Sequence, residues 1–468
     1  MTRAVFTKTT PHTDFVLQSS EDVSAHGGAV IIDALARDFG LWNRLRAATV
    51  LDHRSDKSRG FSPEVIIAQI LFTLCTGGIN IEDTGRLAGD TALGRLLGLP
   101  RMADASTVNT WLNRQSGDGI AALWALNREL IAWVMARAAK GRLLPGGQLE
   151  VFFDDTEIEV EGHYFENTAK NYEGNIAYSW QTLWVARFIA GATLDKGSVE
   201  PSAHLAFLLD DTKSLWEPFA AKGEAHFFAD SASSAGKYLN KIDRRGWEWS
   251  VSYNKWTGVL DKLAEATPDN QWSPAQDAVG RGGEAIIEQH TWLRHQPGED
   301  CLRSQDFACV RYRAADGGDL LWRYAYIVCG QAGGVPAPVH QPEAARAVFV
   351  RHHHKGALEH GFTNLLSDLD LHHPPCQRAL ANEMWYALGA LAHNLLRAVQ
   401  LLHMEAAQQT LRLRQVIRWW MTVPVKLSSH AHRTSARYFV PKATHDWWRV
   451  ILGKVWPKRP RGRPADSG

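Results

Sequence analysis

Apolar positions recur every three or four residues through most of residues 31–145, which predicts helices in series. Residues 1–30 are polar and irregular and read as an arm. Ser62 opens one apolar run (Val65, Ile66, Ile67, Ile70, Leu71, Leu74) that Gly77 and Gly78 close. Short helices are expected at Ile81–Ala88, Thr91–Leu97 and Ser106–Arg114, then a long one over 120–140. Pro145, Gly146 and Gly147 end it, and the character changes. Val151–Phe153, Ser179–Ile189 and His204–Leu209 read as strands, followed by a helix near Thr212–Ala221 and a strand at Ala225–Ala229. Alternation at Phe307–Tyr312 and Leu320–Val328, with many Trp and Tyr, predicts a β-rich insertion over 241–340. Helices return from about Glu343 to Met404. The expected layout is thus an arm (1–30), a helical domain (31–145), an α/β core in two parts (146–240 and 341–405) around the insertion, and a basic C-terminal region (406–468).

Composition narrows the class. The 468 residues are 45% hydrophobic and 22% charged, which is ordinary for a globular chain. A membrane span needs about 18 consecutive apolar residues; the best stretch, Met384–Leu396, is interrupted by His393 and Asn394 and closed by Arg397. Met1–Phe15 lacks the apolar segment of a secretory signal, and the five cysteines include no C-x-x-C pair, so a cytoplasmic setting is expected. Charge is segregated. From Leu411 onward thirteen basic residues face two acids, a local +11 that leaves the body at −10 of the formal +1. A basic block on an acidic body implies a polyanionic partner, most simply nucleic acid. Within the helical domain, Asn109 and Arg114 on the last short helix suit contact with duplex DNA in a helix-turn-helix-like module.

Two short apolar strands end in aspartate: Val151-Phe152-Phe153-Asp154-Asp155-Thr156 and His226-Phe227-Phe228-Ala229-Asp230-Ser231. A carboxylate at a strand end is held rigidly at the edge of a sheet, where open α/β folds place their sites. Alternation sends Asp154 and Asp155 to opposite faces, so at most one of them serves a given site. His352, Lys355 and Glu359, at i, i+3 and i+7, would share one helix face. Three carboxylates from separate segments are a ligand set for hard cations, Mg²⁺ or Mn²⁺, two of which would clamp a phosphodiester displacement.

These elements, in this order, resemble the insertion-sequence DDE transposases, whose ribonuclease H-like α/β catalytic domain is interrupted by a β-rich insertion. Asp154-Asp155-Thr156 is similar to that group's first acidic strand, with Asp154 as the acid, and Ala229-Asp230-Ser231 to its second. The third acid sits in a Tyr–Arg–Glu–Lys signature; here Glu359 takes the acid, Lys355 stands for Arg, His352 for Tyr and Leu366 for Lys. Leu365–Leu371 and Ala392-His393-Asn394-Leu395-Leu396 resemble the segments that follow. The resemblance covers about residues 60–400. It implies that Asp154, Asp230 and Glu359 hold two Mg²⁺ ions, with Mn²⁺ as a substitute, for DNA strand cleavage and transfer. It further implies that Lys355 and His352 contact phosphate near the cut, that insertion tryptophans such as Trp249 or Trp256 stack on a flipped base, and that a homodimer forms on double-stranded DNA ends in a prokaryotic nucleoid.

Three other signals bear on this. Pro460-Arg461-Gly462-Arg463-Pro464 is similar to an AT-hook core, in which Arg461 and Arg463 would enter the minor groove. Consecutive histidines (His352-His353-His354) diverge on a helix and do not converge on one ion, so a zinc site is not expected. Two alternatives stay open: a transposase-derived DNA-binding protein without catalysis, and a metal-dependent nuclease without strand transfer.

Overall fold

The structure, a computed structural model, describes residues 20–99, 101–162, 164–254, 257–275, 278, 280, 284–315, 321–330, 341–430 and 433–455, without the side chains at 145, 357–360, 363, 364, 433 and 455. After a two-residue strand β1 (Val23–Ser24) the N-terminal part is helical: α1 (Ala29–Phe39), α2 (Leu41–Ala47), α3 (Pro63–Cys75), α4 (Ile81–Ala88), α5 (Thr91–Leu97), α6 (Ala105–Leu112), α7 (Gly117–Met135) and α8 (Lys140–Leu143). The starts of four of these are written in single residues. Asn80, Asp90, Asp104 and Ser116 each accept the backbone N–H three residues on, satisfying a donor the helix leaves unpaired. Buried Gln69 of α3 donates to the carbonyls of Thr84 and Ala103 (2.8 and 2.7 Å) and accepts from the Ala103 N–H (2.8 Å), clamping α3 to α4 and to the turn before α6.

A mixed sheet follows. Strands β2 (Leu149–Glu159), β3 (Ala169–Lys170), β4 (Ile176–Val185) and β5 (Phe188–Lys196) lead through α9 (Leu205–Asp211) and α10 (Lys213–Ala220) to β6 (Ala225–Ala229). Helix α11 (Gly236–Asp243) then leads to β7 (Glu248–Tyr253). β5, β4 and β2 are antiparallel neighbours, whereas β2, β6 and β7 are parallel. Two expectations are corrected here. Ser179–Ile189 is not one strand: the chain reverses at Ala186 and Arg187, both at positive φ (50° and 68°), making a two-residue hairpin between β4 and β5 without the glycine that usually signals it. His204–Leu209 is helical, because Leu205, Leu208 and Leu209 recur at helical spacing and are the buried positions.

Beyond β7 lie α12 (Gly258–Ala266), β8 (Ser273–Pro274), β9 (Ile286–His295), β10 (Gln305–Ala314) and β11 (Arg323–Gly330). β11 pairs with β7, so among the described residues these strands extend the same sheet to ten. β7 itself, with Trp249 and Tyr253, is therefore continuous with β6 rather than the start of a separate unit. The remaining helices are α13 (Pro342–His352), α14 (Lys355–Phe362), α15 (Ala379–His403), α16 (Leu413–Val416) and α17 (His445–Val455). A hairpin of β12 (Val425–His430) and β13 (Arg433–Tyr438) completes a small sheet with β1. Much of the basic C-terminal block is thus folded, and Arg412 is committed internally, 2.5 Å from the buried carboxylate of Asp368.

α15 is the spine, buried on nearly every turn between the N-terminal helices and the sheet. Its Asn394 donates to Asn127 Oδ1 of α7 and to the Ile189 carbonyl of β5 (both 2.9 Å) and accepts the Ile189 N–H (3.0 Å); Asn127 donates to the same carbonyl (2.9 Å). A buried network this completely satisfied fixes one arrangement of three elements. Asn394→Ala leaves the Ile189 N–H and Asn127 unsatisfied and is expected to cost about 2–3 kcal/mol in a denaturant melt. A change below about 0.5 kcal/mol would show that the network does not fasten α15.

Candidate active site

The parallel pairing of β2 with β6 places Phe152 beside Phe228 and Phe153 beside Ala229. The next residues, Asp154 and Asp230, therefore stand side by side on the sheet face that Phe152 and Phe228 occupy. β6 ends there, while β2 runs on paired only to β4, so Asp154 sits half-buried beside the end of its neighbour. Asp230 caps a 3₁₀ turn, its carboxylate accepting the Ala232 N–H at 2.9 Å. Asp154 accepts the Asp155 N–H at 3.0 Å. Burial, then the charge of Asp230, pushes the Asp154 carboxyl up to about 8, against the pull of Lys355. Asp155, on the opposite face, rises to about 6 through burial and the same Asp230 charge.

Lys355 opens α14, with Nζ 5.8 Å from the centre of the Phe152 ring and hence on the Asp154 face. Glu359 lies one turn further along α14; its side chain is outside the described residues. The helix carrying His352 is a different one. α13 ends at His352, the chain turns at His353 and His354, and α14 begins at Lys355, so the expectation of one continuous face through 352, 355 and 359 is corrected. His352 is 6% exposed, with Nδ1 2.9 Å from Ser250 Oγ and Nε2 2.8 Å from Ser252 Oγ. Both ring nitrogens are engaged and burial drives the ring down to about 3, so it is neutral and unavailable to a phosphate. Ser250 also meets His226 Nε2 at 3.0 Å. The chain His226–Ser250–His352–Ser252 thus runs along the face that carries Asp154 and Asp230. Sequence reading missed Ser250 and Ser252; their only signal is small polar residues alternating with Trp249, Val251 and Tyr253.

The other candidates separate. Trp249 is fully buried on the opposite face of β7, its indole N–H donating to Asp243 at 3.2 Å, and Gly330 leaves room for that ring. A ring with no free face does not stack on a base, and Trp249 is a core residue. Trp256, Arg461 and Arg463 lie outside the described residues. Asn109 and Arg114 are exposed at the end of α6, where Asn109 Oδ1 accepts from Asn113 (2.8 Å). Leu366, in a π-helical turn (Thr363–Asp368), packs against the core, and Asn394 belongs to the network above. His372 and His373 are exposed.

Among the described residues, no three His, Cys, Asp or Glu side chains gather to hold a metal. The pair Asp154–Asp230 nevertheless suits a hard cation: the donors are carboxylate oxygens, and their mutual repulsion in partly buried ground is what a divalent ion relieves. Over residues 16–438 the chain matches the family described as transposase DDE domain group 1, and it belongs to that family. No curated protein gives a significant match. A transposase acts on DNA, and among the described residues no helix is long and apolar enough to cross a membrane.

Trp249→Ala is expected to destabilise the protein by about 3–5 kcal/mol, as for any large core aromatic; an unchanged melting temperature would return Trp249 to the surface. For His352 the sign is set by its lowered value. Below about pH 6.5 the unfolded chain takes up a proton that the folded chain refuses until about pH 3. Stability is therefore lost as pH falls through that window, at up to about 1.4 kcal/mol per pH unit. Thermal melts of His352→Gln should decline less steeply between pH 6 and 4 than those of the parent, and parallel curves would contradict the buried neutral ring.

Proposed function

We propose that this transposase binds the ends of its insertion sequence and performs Mg²⁺-dependent strand cleavage and strand transfer. The adjacency of Asp154 and Asp230 beside Lys355 carries this reading. On it, the core is ribonuclease H-like: β5, β4 and β2 are its antiparallel strands, β6 and β7 its parallel ones, and α12 with β8–β11 form the β-rich insertion. Helices α1–α8 form the DNA-binding domain, with Asn109 and Arg114 at its exposed end. A homodimer on the DNA ends, in the bacterial cytoplasm and nucleoid, completes the picture.

Asp154, Asp230 and Glu359 would hold two Mg²⁺ ions, or Mn²⁺ in their place. Bound there, the ions supply charge stabilisation to the attacking and leaving oxygens of a phosphodiester. The protein's own residues do the positioning. Lys355 holds a phosphate beside the acids. Phe152 and Phe228 keep the floor apolar, which strengthens each charge interaction above it. His352, braced by Ser250 and Ser252, keeps the α13–α14 turn against β7 and so sets where Lys355 begins.

The test uses labelled fragments of the DNA flanking the gene, with Mg²⁺ or Mn²⁺. The parent is expected to cut at the element ends, Asp154→Asn and Glu359→Gln to bind without cutting, and Lys355→Ala to cut about 10²-fold more slowly, as when one electrostatic donor is removed. Binding by the parent without cleavage would indicate a silent DNA-binding protein. Indiscriminate cutting would indicate a nuclease, and absence of binding would end the DNA reading.

A further inference from the structure

We infer that the C-terminal hairpin β12–β13 binds duplex DNA, as a β-ribbon whose outward face lies against the phosphates bordering a major groove. This rests on the transposase reading above and adds a surface that reading does not contain. The strands pair without a break from Val425↔Tyr438 to His430↔Arg433, and alternation gives them two unlike faces. Inward, Val425 and Leu427 are buried, and Tyr438 stacks on Trp448 with ring centres 5.3 Å apart. Outward, Lys426, Ser428 and His430 of β12 and Ser435 and Arg437 of β13 are exposed.

Three features of this face point to a polyanion. Lys426 stands directly opposite Arg437, a like-charge pair that weakens a hairpin unless an anion lies against it. No acid occurs anywhere in residues 425–438 to offset it. Charge placed only to protect a free sheet edge belongs on β13, yet Lys426 is on β12, the middle strand between β1 and β13. On the hairpin itself the outward side chains are basic or hydroxyl-bearing, and the one apolar neighbour among the described residues of that face is Val23 of β1, beside Lys426, which together suit phosphate better than a lipid surface. A two-stranded ribbon also fits a major groove about 12 Å wide.

The ribbon is rigidly mounted beside the helical domain. β1 pairs with its first residues, Leu427 N–H donates to the Asp22 carbonyl (2.7 Å), and Arg95 of α5 bonds both Asp22 (2.6 Å) and Ser429 (3.4 Å). Gly27 and Gly28 allow the N-terminal segment to dock: a Cβ at Gly28 would come within 2.0 Å of the Trp420 carbonyl.

The experiment measures full-length protein binding to a random duplex and to the element's own end across a salt series in EDTA, so that catalysis plays no part. Joint Lys426→Ala and Arg437→Ala substitution is expected to reduce the slope of log affinity against log salt by about two, one for each phosphate no longer neutralised, and to weaken binding about 10–30-fold at roughly 150 mM salt. The melting temperature should hold or rise slightly, because a repulsive pair has gone; weakened binding confined to a destabilised protein would count against the ribbon. Ser428→Glu, which adds a negative charge to the same face, should weaken binding as well. If the parent binds and the double variant keeps its slope, the ribbon proposal falls alone. If the parent fails to bind any duplex, the transposase reading falls with it.

Discussion

Two carboxylates are forced together by the parallel register of β2 and β6, and much of the surrounding architecture bears that cost. Asp154 and Asp230 follow Phe153 and Ala229 out of a matched pair of strands, so the register sets them side by side on one face. Burial strips the water that would screen them, so Asp154 holds its proton to about pH 8. A locally unfavourable arrangement persists only where the framework over-determines it. Here the framework is the run Phe152, Phe153, Phe227 and Phe228, all buried, flanked by β4 on one side and β7 on the other.

The next constraint is on the helices that cover this face. Gly361 and Phe362 of α14 lie against Trp184 of β4, and no side chain fits at Gly361 because the indole already occupies the space. Across the sheet, His352 locks α13 to β7 through two serines. α14 is thus tied at both ends, which settles where Lys355 stands relative to Asp154. Behind it, Asn394 joins α15 to the N-terminal helices and to the β5 edge, so the acids and the helical domain are set in one continuous core.

How much of this could be read in the sequence depends on whether the signal is local. The boundaries of α4, α5 and β6 were legible because caps, glycines and period agree over a few residues. The acidic strand ends were legible as candidates for the same reason, but their adjacency was not, since it arises from a parallel pairing across about 75 residues of chain. The β4–β5 reversal was hidden because Ala186 and Arg187 adopt positive φ without glycine or asparagine. His352 was misread because helical spacing continues across the break at His353 and His354, and nothing local announces the two serines 100 residues earlier that bury its ring. Trp249 was a base-stacking candidate because it lies in an aromatic-rich, β-patterned stretch; the pairing of its strand with β6 makes it interior.

The pairing of β1 with β12 also has a consequence for synthesis. Val23 and Ser24 hydrogen-bond to a strand about 400 residues later in the chain, and Gly27 and Gly28 pack on backbone just before it. At about 5–20 residues per second a ribosome needs roughly 20–80 s to make that interval. Throughout that time the first helices lack the strand and the tryptophans that cover them. The N-terminal helices therefore reach their final form only after Asp154, Asp230 and Lys355 have been translated. A chain released early, acids included, would carry an N-terminal region without the strand and helix that complete it.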